Sequence, residues 1–291
     1  MMKKVGIQGY YNSFHEIVAH QYFKNEEIEI VPCMTFEGLF DAIHSLKADI
    51  GIVAIENTLV GSILGNYTLL RESNLFIRAE HKLRVKHSLL ALEGQKIEDI
   101  TEVHSHPMAL QQCSEFFKRY PHIKLINSDD TAYSAYEISQ KQIPGRGAIS
   151  NEIAAKSFGL KLLARGIETN KRNFTRFLIV SPIDESERQI KINGEINKAS
   201  WVVTLSHRSG SLAQLLTVLA AFDISLTKIQ SLPLVGQEWT YLFYIDMVFD
   251  KNEQYQRAVQ SIGKYVEDLR ILGEYPAAIT PVEHQQISTL H

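Results

Sequence analysis

Three short polar segments contain the residues whose types and spacing could do chemistry. The first is Glu56-Asn57-Thr58, which directly follows an apolar run and precedes Gly61. A buried strand that ends in this way presents a carboxylate, an amide and a hydroxyl at its carboxyl end, although an ordinary polar turn would have the same sequence. This segment is therefore one candidate part of a polar site.

The second segment has the sequence VHSHP at 103–107. Proline fits the first turn of a helix because its missing N–H costs nothing there. We expect Ser105 and the free amides behind it to form an anion site, and Gln112, seven residues on, to return to roughly the same helix face. Simple helix capping by Ser105 is the alternative.

The third segment, NFTRF at 173–177, leads into a predicted strand. Arg176 offers a planar guanidinium that matches a carboxylate, and Thr175 offers a hydroxyl that can donate and accept. An arginine that leads into a strand can equally pair with an acidic side chain outside a site. The pentapeptide alone does not decide between these roles.

No metal or cofactor is expected. His104 and His106 form H-x-H, with His81 and His87 nearby, but a zinc site needs three or four convergent ligands. The sequence contains neither the G-x-G-x-x-G nor the G-K-[ST] phosphate-binding pattern. The chemistry must then come from carboxylates, amides and hydroxyls.

The elements that position these segments follow an α/β pattern with a largely parallel sheet over the first 180 residues. Strands are predicted at 4–7, 28–31, 50–55, 87–91, 102–104, 124–126, 147–149 and 175–180. Helices are predicted to start with a capping box at 13–16 and with proline at 107, to open at 129–131, and to run from 150 to Gly159. Each cap follows a strand, which places helix N-termini at the carboxyl edge of the sheet, where ligands bind.

A second domain is predicted after a polar stretch at 182–199, which we interpret as a linker. The order then becomes strand, helix, strand, strand, helix, strand over 200–273, which is a βαββαβ ferredoxin-like unit. We expect the catalytic region to span 1–181, the second domain 200–276, and a loosely ordered tail 277–291.

Length and composition agree with this division. The 291 residues favour two domains, and 45% hydrophobic with 22% charged residues is typical of a globular protein. A net charge of −3 gives no basic excess for nucleic acid. Cys33 and Cys113 are expected to be reduced, and no stretch is long enough for a secretory leader or a membrane span. A cytoplasmic protein is predicted.

Five segments in this order resemble the prephenate dehydratase family over essentially the whole chain. They are GIVAIENTLVGSI (51–63), VHSHPMALQQC (103–113), DDTAYSAYEIS (129–139), GAISNEIAAKSFGL (147–160) and NFTRF (173–177). The second domain resembles an ACT regulatory domain at 210–213 and 229–233. The resemblance implies a two-lobed catalytic region like a type 2 periplasmic binding protein, with crossovers near 80 and 175 and prephenate between the lobes.

The resemblance also implies roles for individual residues. The protein would convert prephenate to phenylpyruvate, carbon dioxide and water, and Thr175 would donate to the hydroxyl that leaves. Glu56, Asn57, Ser105 and Gln112 would complete the catalytic set. Substrate binding is expected at Ser13, Thr58, Thr131, Asn173 and Arg176. L-Phenylalanine would bind where ACT domains of a dimer or tetramer meet, at Gly210, Ser211, Leu212, Ala213, Gln230 and Ser231.

Several positions depart from the family pattern. The N-terminal glycine-proline-x-glycine turn is Gly9-Tyr10-Tyr11-Asn12, Ala54 replaces a proline, and Thr169 replaces an aspartate. In the second domain the glutamate-serine-arginine-proline motif reads Gln230-Ser231-Leu232-Pro233, which loses two charges. The residues therefore support phenylalanine control less fully than they support catalysis.

Two alternatives remain open on the sequence. Arogenate dehydratase performs the same elimination on the aminated substrate, and the motifs do not separate it from prephenate dehydratase. A non-catalytic ligand-sensing protein with an ACT domain is the other, although it would not need that particular set of polar residues. Because the first predicted strand starts at 4, we expect no chorismate mutase segment within this chain.

Overall fold

The structure of the protein is a computed structural model. It describes residues 2–182, 194–206, 208–234 and 241–278. Most of the predicted linker (183–193), the start of one predicted strand (238–240) and most of the predicted tail (279–291) lie outside the described residues. The described part forms two lobes and a C-terminal domain.

The first lobe alternates strands with helices. Its elements are β1 (Lys3–Gln8), α1 (Phe14–Tyr22), β2 (Ile28–Cys33), α2 (Phe36–His44), β3 (Ile50–Asn57), β4 (Gly61–Ser62), α3 (Leu64–Glu72) and β5 (Leu75–Arg84). Helix α1 begins at the predicted cap, where the Ser13 hydroxyl accepts from the Glu16 N–H. The Glu16 carboxylate reaches back one residue further than a capping box requires and accepts from the Asn12 N–H.

The second lobe is inserted into the first. Its elements are β6 (Ser88–Ala91), a 3-10 helix (Ile97–Asp99), β7 (Glu102–Ser105), α4 (Pro107–Gln112), α5 (Ser114–Phe117), β8 (Lys124–Asn127), α6 (Thr131–Lys141), β9 (Arg146–Ser150), α7 (Glu152–Ser157) and β10 (Lys161–Ala164). These strands form a separate sheet in the order β10-β6-β9-β7-β8. The chain crosses between lobes at 85–87 and 165–173, since β5 continues beyond the predicted crossover near 80.

Strand β11 (Phe174–Pro182) brings the chain back into the first lobe. It lies between β3 and β5 and is antiparallel to both, whereas β1 is parallel to its neighbours β2 and β3. The predicted parallel sheet is therefore present only where helices connect the strands, because a strand that returns from an inserted lobe can enter in the opposite direction. Antiparallel β11 is what brings 173–177 beside the end of β3.

The C-terminal domain has the predicted βαββαβ order. Its elements are β12 (Lys198–Thr204), α8 (Ser211–Ala221), β13 (Ser225–Pro233), β14 (Tyr241–Val248), α9 (Asn252–Ile262) and β15 (Asp268–Tyr275). Strand β12 begins two residues inside the predicted linker, and the Lys198 side chain at its start is buried against the first lobe. The tail residues Ala277 and Ala278 also donate backbone hydrogen bonds, to Asn197 and Glu80.

The C-terminal domain and the first lobe share one sheet of ten strands. Along this sheet the order is β13-β14-β12-β15-β5-β11-β3-β1-β2, with β4 beside β3. The two parts join where Gly273 of β15 pairs with Ile77 of β5, and a Cβ at Gly273 would lie 2.5 Å from the Ile77 carbonyl oxygen. Their hydrophobic core is also common, since Tyr67 of α3 packs against Tyr244 of β14. The domain is therefore docked by packed side chains as well as by the chain connection.

Several elements were not expected from the sequence. Helices α2 and α3 and strands β5 and β10 lie in stretches without a prediction, and the helix predicted to start at Pro107 is broken at Cys113. Cys113 and Phe117 are both buried in the core of the second lobe, so a turn between the two short helices brings both side chains inward. Strand β5 was not predicted because charged residues interrupt its apolar pattern. One of them, Glu80, is buried in an ion-pair cluster.

Candidate active site

Asn57 is the residue around which the candidate site is built. At the end of β3 its side-chain oxygen accepts from the N–H groups of Leu59 and Val60, which fixes the side chain over the following turn. Its Nδ2 then donates to Asn173 Oδ1 at 2.8 Å and to Thr175 Oγ1 at 2.9 Å. All the polar atoms of this amide are therefore hydrogen-bonded, which holds it in one orientation.

Thr175 lies directly opposite Asn57 in the β3–β11 pairing. The register shifts just beyond, between Arg176 and Phe177. A bulge of this kind bends the strand and re-aims side chains, and such bulges are common next to active sites. Since the Thr175 oxygen accepts from Asn57, the hydroxyl hydrogen can be donated to a bound molecule.

Gln112 brings the second lobe into the same network. It is the last residue of α4, and its Oε1 lies 2.9 Å from both Asn173 Nδ2 and His87 Nε2. The chain of contacts thus runs from Thr175 through two asparagines to Gln112 and His87, from one lobe to the other. With its oxygen occupied by these two donors, Gln112 can direct its NH2 group at a ligand.

His87 was considered in the sequence only as a weak zinc candidate, and its place in this network was missed. Burial lowers the pKa of His87, an effect that the contacts with Gln112 and Glu168 oppose. The neutral ring must carry its proton on Nε2 to bond the Gln112 oxygen, which leaves Nδ1 as an acceptor. No local pattern in the sequence points to this role, because the partner Gln112 belongs to another element.

Ser105 is placed differently from the prediction. It ends β7, and its hydroxyl donates to the Ile149 carbonyl of β9 at 2.7 Å. His106 caps α4 instead, through its Nδ1 and the Met108 N–H. The fully buried Ser105 thus joins β7 to β9, and its hydroxyl proton is used in that bond, so Ser105 does not cap α4.

The predicted substrate-binding residues divide into two groups. Asn173 belongs to the central network, while Ser13 and Thr131 lie at the starts of α1 and α6, one in each lobe. Thr58 donates to the Arg172 carbonyl and accepts from the Phe174 N–H, which ties the turn after β3 to the entry of β11. The Thr58 hydroxyl therefore supports the shape of the site.

The loop that replaces the glycine-proline-x-glycine turn joins the two lobes. The Asn12 carbonyl accepts from Asn151 Nδ2 at 2.7 Å, and the Asn12 side-chain oxygen accepts from Ser157 Oγ at 2.9 Å. Gly9, at φ +96°, lies against the Asp130 carboxylate, where a Cβ would come within 2.5 Å. The lobes are thus in contact across one end of the cleft.

Glu56 and Arg176 lie on the face of the β3–β11 pair opposite to Asn57 and Thr175. They face each other in the strand register, and Arg176 bonds Glu80 at 2.6 Å and Asp246 in a buried cluster. This is the arrangement in which the arginine pairs with acidic side chains outside the site. Glu56 is held 3.6 Å from Lys228 and 3.8 Å from Arg176.

A cavity of about 370 Å³ lies in the C-terminal domain. Ser211 and Leu212 line it, together with Arg208. Of the other predicted effector residues, Gly210 is in the left-handed conformation just before α8, and Ser231 pairs with the lining residue Phe243. The remaining predicted positions, Ala213 and Gln230, do not line this cavity.

Among the described residues, no group of three or more His, Cys, Asp or Glu side chains could hold a metal ion. None of the helices in the described ranges combines the length and hydropathy that crossing a bilayer requires.

A family model described as prephenate dehydratase matches residues 5–185, which include both lobes. The chain belongs to the prephenate dehydratase family. This membership confirms the predicted family and reaction class: the protein is a lyase that converts prephenate to phenylpyruvate, carbon dioxide and water.

Two relatives of this dehydratase match nearly the whole chain. The arogenate dehydratase/prephenate dehydratase 2, chloroplastic, of Arabidopsis thaliana is 36% identical over 289 residues, covering 95% of this chain and 74% of the relative. The bifunctional chorismate mutase/prephenate dehydratase of Escherichia coli (strain K12) is 29% identical over 286 residues, covering 96% and 72%.

Two solved structures have the same fold as this dehydratase. A prephenate dehydratase from Arthrobacter aurescens in complex with L-Phe has a TM-score of 0.82 at 24% identity, covering 95% of this chain and 90% of that one. GqqA, described as a novel type of quorum quenching acylase, has a TM-score of 0.83 at 27% identity, covering 96% and 99%. These matches confirm the predicted fold class, two lobes followed by an ACT domain.

Proposed function

We propose that the network between the lobes carries out the dehydratase reaction, with Thr175 as the donor to the leaving hydroxyl. The observation that supports this role is the hydrogen bond from Asn57 Nδ2 to Thr175 Oγ1, at 2.9 Å, which leaves the hydroxyl proton for a ligand. A threonine hydroxyl is a weak acid, so it acts by hydrogen bonding as negative charge develops on the departing oxygen.

The reaction needs little from the protein. The bond between the ring and its carboxylate breaks, and the electron pair passes through the diene and expels the hydroxyl from the opposite carbon. Carbon dioxide and hydroxide leave, the hydroxide takes up one proton from solvent to become water, and the ring of phenylpyruvate becomes aromatic. No oxidant is needed, and aromatisation supplies the driving force. The protein must hold the carboxylates, desolvate the one that leaves and stabilise the departing hydroxyl.

The other members of the network orient the substrate and Thr175. Asn57 and Asn173 are the amides that the first-lobe side contributes to the site. The NH2 group of Gln112 is the donor that the second lobe contributes. His87 holds Gln112 from behind through its Nε2–H. Ser13 and Thr131, at the starts of two helices, supply donors for a carboxylate of the substrate.

Arogenate is the second candidate substrate. The relatives at 36% identity from Arabidopsis thaliana and Petunia hybrida are both named for arogenate dehydration. The two substrates differ only in the side chain, which bears a ketone in prephenate and an amine in arogenate. We place prephenate first because the family model carries that name.

L-Phenylalanine is the proposed effector, and the cavity beside α8 is its proposed site. The Arthrobacter aurescens structure, which shares the fold, is in complex with L-Phe. In this chain Leu212 and Phe243 provide apolar walls for an aromatic ring, and Arg208 lies at the same cavity for a carboxylate.

Self-association is proposed through the C-terminal domain. Strand β13 is the outermost strand of the ten-stranded sheet and pairs only with β14 among the described strands. An exposed strand edge of nine residues can pair with a second copy, which would bring two effector cavities near one interface.

A cytoplasmic location is also proposed, and cell fractionation would test it.

The decisive experiment incubates the purified protein with prephenate or with arogenate at neutral pH. Phenylpyruvate is measured by its alkaline ultraviolet absorbance, and phenylalanine from arogenate by chromatography. We expect faster turnover of prephenate. Faster turnover of arogenate would reverse the substrate assignment, and turnover of neither would favour the ligand-sensing alternative. An N-acyl amide is a useful third substrate, because the same fold occurs in a quorum quenching acylase.

A further inference from the structure

Two side chains of the C-terminal domain reach the strands that carry the proposed catalytic residues. We propose that Asp246 and Lys228 are positioning residues, which hold the ends of β3 and β11 so that the Thr175 hydroxyl has its working orientation. The inference rests on the proposed function of Thr175 and Asn57, and its test is chosen so that either can fail separately.

The inference starts from two consecutive cross-strand pairs. Asn57 is opposite Thr175, and Glu56 is opposite Arg176. Side chains alternate between the faces of a strand, so when the first pair faces the cleft the second faces the other side. We call Glu56 and Arg176 the rear pair. Each member is bonded through the backbone to a residue of the site, so a shift of the rear pair moves the site.

Arg176 is held by a cluster to which both domains contribute. Its Nε bonds Glu80 of β5 at 2.6 Å, its Nη1 bonds Asp246 of β14, and its Nη2 bonds the Tyr275 hydroxyl of β15 at 3.0 Å. Asp246 is only 3% exposed and also accepts from Ser200 Oγ at 2.6 Å. The guanidinium is thus hydrogen-bonded to one carboxylate from each domain.

The charges in this cluster balance. Lys198 of β12 bonds both oxygens of Glu80, at 3.0 and 2.8 Å, so two cations face two carboxylates in a region closed to water. Burial opposes the charge of Arg176, but the surrounding carboxylates and Tyr275 raise its pKa overall. Removal of one carboxylate leaves a buried cation without its counter-charge, and the guanidinium must then move or take up water.

Glu56, the other member of the rear pair, is held by Lys228 of β13. The Lys228 ammonium donates to Ser62 Oγ, lies 3.6 Å from Glu56 Oε2 and sits 5.0 Å from the centre of the Tyr67 ring. Its side chain is 8% exposed, although β13 is an edge strand. This lysine therefore points into the first lobe, where it reaches the residue next to Asn57.

The two contacts would affect turnover more than substrate binding. Asp246 and Lys228 do not face the cleft, so their loss removes no contact to substrate. The bulge just after Arg176 makes the local strand sensitive to displacement of its side chain. Misplacement of a catalytic group by about 1 Å can cost about 100-fold in rate, so a small shift of Thr175 is enough to be measured.

The test compares three variants and one control variant of the full chain. We expect Asp246→Asn and Lys228→Met each to lower kcat by about tenfold or more with KM changed by less than about twofold, and Lys228→Arg to restore most of kcat. Tyr255→Phe is the matched control, because it removes a buried hydrogen bond with Trp201 within a separate hydrophobic core of the same domain. It should lower Tm and leave kcat unchanged.

All assays are run well below each variant's Tm, which circular dichroism measures. Wild-type kcat in folded Asp246→Asn and Lys228→Met would overturn the inference, as would an equal loss of kcat in Tyr255→Phe. If Asp246→Asn does not fold, the kcat values of Lys228→Met and Lys228→Arg test the inference on their own. Full activity of Thr175→Ala would instead overturn the proposed function, whatever the C-terminal variants do.

Discussion

The side-chain amide of Asn57 donates to the hydroxyl oxygen of Thr175 at 2.9 Å, between residues that are 118 positions apart in the chain. The two residues meet because β11 returns antiparallel beside β3 after the whole second lobe has been built. This pairing fixes which way the hydroxyl proton can point, and it makes the roles of individual residues testable.

Thr175→Ala should lower kcat by about 100-fold or more while KM changes little. The physical reason is that a donor aimed at a developing oxyanion contributes mainly in the transition state, and loss of one such donor typically costs about 10²–10³ in kcat. Steady-state kinetics with prephenate measures both constants. Thr175→Ser, which keeps the hydroxyl, should retain most of the activity.

A suitable control for this substitution is Thr217→Ala, an exposed helical threonine of the C-terminal domain whose hydroxyl donates only to the Ala213 carbonyl one turn earlier. It should leave kinetics unchanged. Near wild-type turnover by Thr175→Ala would contradict the proposed donor role, and the leaving hydroxyl would then need another donor.

His87→Leu should reduce kcat about fivefold, because Gln112 loses one of the two donors that hold its oxygen. The expected size follows from the net value of a hydrogen bond, about 1 kcal/mol. His87→Gln, which can present an N–H near the same place, should lose less. Unchanged kinetics in the folded leucine variant, with Asn173 still in place, would mean that Gln112 needs no support from His87.

Stability should fall as the pH drops below about 6.5, and His15 should contribute to this loss. Burial lowers the pKa of His15 to about 3 from its ordinary value of 6.5, since the ring packs between Phe36 and Phe177. Between these values the unfolded state binds the extra proton, so the free energy of unfolding rises with pH through this window and levels off above it.

His15→Leu should remove this contribution, which approaches about 1.4 kcal/mol per pH unit for one proton. Urea unfolding at several pH values between 4 and 8 measures the slope. Exposed His122 offers a matched control, because His122→Leu should leave the slope unchanged. An unaltered slope in His15→Leu would show that other groups, such as buried His87, account for the acid sensitivity.

L-Phenylalanine at millimolar concentration should raise Tm and inhibit the dehydratase. A ligand that binds only the folded state stabilises it by about 2.7 kcal/mol at 100 times its Kd. Differential scanning fluorimetry with a phenylalanine series measures the shift, and tyrosine serves as a comparison ligand. Filling the cavity with Leu212→Trp should abolish the shift while activity without effector persists. No shift in the wild type would mean that the altered Gln230-Ser231-Leu232-Pro233 segment has lost the effector.

The sequence predicted the fold class and the segments that meet in the candidate site, because both depend on local signals. The strand that ends at Asn57 is an apolar run followed directly by polar residues, and Ser13 begins a recognisable helix cap. The resemblance of NFTRF and four other segments supplied the roles. These features are contained in a few adjacent residues each.

What the sequence did not predict depends on contacts between distant residues. Glu80 looks like a surface charge in an alternating strand, and only its buried partners from β11 and β12 explain it. His87 lacks a local pattern, since its partner Gln112 comes from another element. Ser105 looked like a helix cap because nothing local reveals the Ile149 carbonyl that takes its proton.

The pairing of Gly273 with Ile77 has a consequence for dissecting the protein. A chain that stops after β11 would leave strand β5 as an open edge and expose Tyr67 and its neighbours to water, both of which promote aggregation. The lobes therefore cannot be treated as a freely detachable catalytic module, and truncation at 182 would be a poor way to obtain an unregulated enzyme. Substitutions at the effector cavity leave the contact between the C-terminal domain and the first lobe intact, and they are the better way to obtain an unregulated enzyme.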